Sequence, residues 1–194
     1  MGGDVYKVYY LKKNYECSVK NVLALLLSDR ISGLVAIVIY LLVLVSMIIA
    51  EISIIPFQEY LWVLIPFAAA GYYGVVYYLC RSTIRQLWRV ILFSLLIQGL
   101  QMAAAILIVV SLGGQVENLQ NYIFWFFMSS IASAIPISVG GIGLREATFV
   151  LGSQYLNVDN GMSVAFSAVF YMTSLVASLP GLTYVLRPEW IKKH

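Results

Sequence analysis

The sequence predicts an all-α integral membrane protein with four full transmembrane helices plus a re-entrant or broken helical hairpin. Three observations predict it. Hydrophobic residues make up 61% of the chain and charged residues only 11%, against about 25% charged in an ordinary soluble domain, so the chain cannot cover a core with polar surface. Four stretches stay apolar over the roughly 20 residues that about 30 Å of hydrocarbon requires at about 1.5 Å per helical residue. Between the third and fourth lies a fifth apolar region, interrupted by proline, glycines and two adjacent charges. The composition excludes a disordered tail, a cytosolic enzyme of ordinary build and a disulfide scaffold.

Residues 1–30 form a cytoplasmic or interfacial segment. Its lysines, mixed with Asp4 and Glu16, do not make a cleavable signal peptide. Ser18 is placed to start a helix over the apolar Val22–Leu27, which either lies at the inner interface or runs into the first span. The spans follow at about 31–50, 60–80, 90–112 and 162–186. The third stops at Gly113-Gly114, and the fourth carries Pro180-Gly181, where a kink or early unwinding is expected.

The hairpin occupies about 122–158. Its first apolar piece ends at Ile135, and Pro136 begins the run Pro-Ile-Ser-Val-Gly-Gly-Ile-Gly-Leu that leads into Arg145-Glu146. Proline removes a backbone donor and glycine weakens helix, so this region reads as two half-helices joined by an irregular turn, the second over Ala147–Val158.

Loop charges set the orientation. Lys7, Lys12, Lys13, Lys20 and Arg30 precede the first span, Arg81, Arg85 and Arg89 fill the loop after the second, and Arg187, Lys192 and Lys193 follow the last. The intervening loops hold Glu51 and Glu59, then Glu117, then Asp159. By the positive-inside rule the basic regions are cytoplasmic. Four spans satisfy this only if 122–158 crosses an even number of times. A re-entrant hairpin entering from the outer side satisfies it, with Arg145-Glu146 near or past its turn; two tilted crossings are the alternative.

Ionisable residues within a membrane-embedded segment point to function. Gly140, Gly141 and Gly143 would expose backbone N–H groups beside the positive end of a half-helix, and Arg145 would add a guanidinium. Such a site suits a lipid phosphate. The competing reading is that Arg145 snorkels to the interface and Glu146 caps the half-helix. Asp29-Arg30 at the inner mouth of the first span either holds a headgroup or anchors the helix. Gln98 and Gln101 share a face of the third span, for interhelical hydrogen bonding or for lining a polar path. Tyr72, Tyr73, Tyr77 and Tyr78 suit packing and interface anchoring. Cys17 and Cys80 match no metal or redox spacing, and His194 is the only histidine, so no metal site or cofactor is expected. Nothing resembles a nucleic-acid face, a nucleophile–base pair or a carboxylate dyad.

Gly2-Gly3-Asp4-Val5-Tyr6-Lys7 with Leu11, Asp29-Arg30-Ile31-Ser32-Gly33-Leu34 and Pro136 to Glu146 together resemble the lysylphosphatidylglycerol synthase transmembrane-region family, the flippase-like domain of the multiple peptide resistance factors. The resemblance covers nearly the whole chain, and its most specific part is Pro136 to Glu146. It implies the C-terminal part of the usual domain, because the Gly-Gly-Asp pattern usually follows several further helices. It implies no aminoacyl transferase domain, hence no enzyme. The residues it points to are Asp4, Asp29, Arg30, Gly140, Gly141, Gly143, Arg145 and Glu146.

The expected function is that of a lipid flippase or translocase module for an anionic or aminoacylated phospholipid or a lipid-linked carrier. The alternative is a non-transporting membrane scaffold or partner of a glycosyltransferase or lipid-modifying enzyme. Expected partners are membrane lipids, such an enzyme, or a second copy of the chain. The expected location is a prokaryotic plasma membrane, with both termini cytoplasmic.

Overall fold

The computed structural model describes residues 8, 12, 18–52, 58–79, 86–114, 118–134, 143–155 and 160–186. Its six long elements are all helices: α1 (Val19–Ile52), α2 (Gln58–Leu79), α3 (Leu87–Ser111), α4 (Leu119–Ala134), α5 (Leu144–Tyr155) and α6 (Asn160–Leu186). Among the described residues there is no strand. Asp4, Gly140 and Gly141 lie outside the described residues.

Among the described residues three helices are long and apolar enough to cross a membrane, over Val19–Met47, Leu87–Ser111 and Gly161–Gly181. The second expected span, at 60–80, falls in α2, whose apolar run, Trp62–Tyr78, is shorter, so three of the four expected spans reach membrane length. Of the two placements open for the segment after Ser18, the structure has the continuous one: α1 starts at Val19 and carries Asp29 and Arg30 within it. The carbonyl of Ser18 accepts from Asn21 N and Val22 N at its start. No early unwinding occurs at Pro180-Gly181, since α6 runs through both to Leu186.

The end of α3 follows from its two glycines. Gly113 has φ +79°, Gly113 N donates to Val110 O and Gly114 N to Val109 O, which together close the last turn in a Schellman motif. A Cβ on Gly114 would run into the side chains of Val109 and Met162, so this glycine also lets α6 approach.

A central core joins Ile37 of α1, Ala105, Ile108 and Val109 of α3, Phe126 and Phe127 of α4, Phe149 of α5, and Phe166 and Phe170 of α6. A smaller cluster holds Tyr72 and Val76 of α2 with Leu87 of α3. Outside them the helices show large apolar side chains: Phe67 is 70% exposed, Tyr78 88% and Leu100 71%. Contiguous apolar surface of this kind is unfavourable in water and costs nothing against lipid tails.

Lipid supplies little hydrophobic drive between helices, so packing depends on close approach and interhelical hydrogen bonds. Both are present. Ser32 and Ser94 share a hydrogen bond of 2.8 Å between α1 and α3. The Tyr40 hydroxyl donates to Leu95 O at 3.1 Å, lying where a Cβ on Gly99 would come within 2.8 Å of it.

Candidate functional site

The expected pair of half-helices is present as α4 and α5, which pack against each other. Gly152 of α5 sits so close to the Trp125 indole of α4 that a Cβ there would lie 2.5–2.7 Å from ring atoms. The second half-helix begins earlier than expected, at Leu144 rather than Ala147. Arg145 and Glu146 therefore lie inside its first turn.

Gly143 precedes that turn with φ +84°, a conformation that side-chain-bearing residues rarely adopt. Its carbonyl accepts from Ala147 N at 2.9 Å, and its N–H donates to Glu146 Oε2 at 2.6 Å. This is the backward half of a capping box, with glutamate at the third helical position satisfying an orphan donor and setting a negative charge at the positive helix end. Glu146 thus acts as the cap that one sequence reading expected.

Arg145 does something that neither reading described. Its guanidinium carbon lies 4.5 Å from the Phe170 ring centroid and 5.7 Å from that of Phe126. Nη1 is buried without a hydrogen-bond partner. The side chain turns toward α4 and α6. The rings face the cation with their negative quadrupole, worth up to about 2 kcal/mol when desolvated. A guanidinium donor left unpaired in a low-dielectric site still costs on the order of 1–3 kcal/mol, so the arrangement favours an arriving acceptor.

Phe170 also lines a groove of about 440 Å³ between α3 and α6, along with Leu100, Gln101, Ala104, Thr173 and Ser174. The groove is mostly apolar, with a few hydroxyls and one amide. Gln101 lines this groove. Gln98, on the same helix face, has its Oε1 buried without a partner.

Asp29 and Arg30 are exposed on α1, which packs on α2, α3 and α4, whereas α5 packs on α4 and α6. The Asp29 carbonyl accepts from Ser32 Oγ at 2.7 Å, tying this stretch to the Ser32–Ser94 contact. Sequence reasoning missed Phe126 and Phe170, whose meeting around Arg145 has no signature in spacing. It also missed Ser32 and Ser94 as an interhelical contact. Among the described residues, no group of histidine, cysteine, aspartate and glutamate could hold a metal ion.

Apolar membrane-length helices and two shorter helices packed together ahead of the last one define an integral membrane protein. Residues 75–181 match the family model for the lysylphosphatidylglycerol synthase transmembrane region, and the chain belongs to that family. No curated protein and no solved structure matches the chain. The matched stretch contains Arg145, both its rings and the α3–α6 groove. Asp4, Asp29 and Arg30 fall before it.

Proposed function

We propose that this protein is a lipid translocase module that binds the phosphate of an anionic or aminoacylated phospholipid, or of a lipid-linked carrier, at Arg145. The observation that carries the reading is the buried, unpaired Nη1 of Arg145 beside a ring that lines a membrane groove. A phosphate oxygen arriving there accepts a charge-assisted hydrogen bond, about twice as strong as a neutral one. Gly140 and Gly141, which precede α5 in the sequence, are proposed to add backbone donors. Glu146 keeps the helix end in place rather than competing with the phosphate for Arg145, because its Oε2 accepts from Gly143 N–H.

The orientation proposed has both termini cytoplasmic in a prokaryotic plasma membrane, four crossings by α1, α2, α3 and α6, and α4–α5 as a re-entrant hairpin from the outer side. With 12 residues in α5 at about 1.5 Å each, the N-terminal end of α5 lies about 18 Å in. That is past the middle of about 30 Å of hydrocarbon, a depth where a lipid headgroup needs a protein-supplied partner. Asp29-Arg30 at the inner end of the first span is proposed to receive or release the headgroup.

The test is leaflet exchange of fluorescent phosphatidylglycerol in vesicles containing the purified protein. Wild type accelerates exchange, and Arg145→Ala, still folded and inserted, returns it to the protein-free rate. Equal exchange by the two proteins overturns the reading. Absence of exchange by wild type, with a lipid-modifying enzyme co-purifying in fixed ratio, favours a scaffold instead.

A further inference from the structure

An anion lodged in the groove between α3 and α6 has no cation among the described side chains that line it. The hydroxyls of the wall are already committed as donors: Thr173 Oγ1 donates to Val169 O and Ser174 Oγ to Phe170 O, both at 2.8 Å, and Ser178 Oγ donates to Leu175 O at 2.7 Å. They offer the groove lone pairs, which repel a phosphate. The positive charge the phosphate needs is that of Arg145, stacked on the ring of Phe170. Phe170 is itself part of the groove wall and only 7% exposed.

We propose that Phe170 is a positioning residue that separates Arg145 from the groove, and that a phospholipid seated along α3 and α6 brings its phosphate to Nη1 when the ring turns aside. This rests on the reading of Arg145 as the phosphate-binding residue. The occupant is a bilayer phospholipid. Its acyl chain suits the apolar floor at Leu100, Ala104 and Ala177, and its single phosphate suits the single guanidinium behind the ring. The closed position is held by the cation on the ring and by the T-shaped contact of Phe170 with Phe126 at 4.9 Å. Replacing the ring by a leucine side chain removes both of these while leaving an apolar side chain in the core.

The experiment is native mass spectrometry of the full chain in detergent titrated with phosphatidylglycerol, reading both the bound fraction and the rate of exchange with unlabelled lipid. Phe170→Leu is expected to hold several-fold more lipid at a given concentration and to exchange it faster. Ala177→Phe, which fills the exposed end of the groove without entering the core, is expected to hold several-fold less. Arg145→Ala is expected to hold none above background. Unchanged binding and exchange in Phe170→Leu overturns the role of the ring, while loss in Arg145→Ala would leave the phosphate site standing. Unchanged binding in Ala177→Phe overturns the groove as the route, and reads out even if Phe170→Leu fails to fold. Unchanged binding in Arg145→Ala overturns the reading on which the inference rests.

Discussion

Around Ser32 the helices are joined by hydroxyls; around Phe166 they are joined by rings. In the first region Ser32 meets Ser94 and Tyr40 meets the Leu95 carbonyl, so these hydroxyls find partners within the bundle, although Gln98 Oε1 does not. In the second, Phe166 packs on Phe149 at 4.9 Å and on Phe126 at 6.2 Å, and the charge brought among these rings keeps an unpaired nitrogen. Tyr40 links the two by stacking on Phe127 at 5.5 Å. On the proposed function, the difference separates scaffold from site: hydroxyl contacts join α1 and α3, whereas a cation with an unpaired nitrogen against aromatic rings leaves binding energy for a ligand.

Truncation at the centre of the aromatic region tests the comparison most severely. Phe166→Ala should lower stability by about 3–5 kcal/mol, read as a shift in unfolding by mixed-micelle titration. A loss no larger than that of a hydroxyl would show that the rings do not hold this half. Gly152→Val pushes a side chain into Trp125 and should cost about 1–3 kcal/mol in the same titration, with α4 and α5 forced apart. Gly143→Ala strains only the turn before α5, and about 1–2 kcal/mol is expected. It should also reduce phosphatidylglycerol binding, because Arg145 is the second residue of the helix that Gly143 starts. Ser32→Ala removes one interhelical hydrogen bond and should cost about 0.6 kcal/mol, with lipid binding intact. If Ser32→Ala instead abolished binding while Gly143→Ala spared it, the assignment of scaffold and site to the two regions would be reversed.

Much of the helix layout was legible because it depends on local chemistry. The stop at Gly113-Gly114 was read from two glycines, and the break between α4 and α5 from a proline and a glycine run. The start of α5 was placed too late, since charged Arg145-Glu146 reads as a loop until the Gly143–Glu146 cap shows that the charge starts the helix. The start of the first helix was open because a polar Asp29-Arg30 pair marks a membrane boundary without ending a helix. The expected disturbance at Pro180-Gly181 did not end α6.

Sequence alone determined that the chain is helical and membrane-embedded, that a broken pair of helices precedes the last span, and that Arg145 and Glu146 lie at that break. Each of these follows from hydropathy, length or backbone preference over a few neighbouring residues. Only the tertiary structure decided that Arg145 lies against the paired rings of Phe126 and Phe170, and that Phe170 lines the α3–α6 groove. The cation and the two rings come from three different helices. Their meeting depends on how α4, α5 and α6 pack, and no local pattern of charge or hydrophobicity encodes which ring will face which cation.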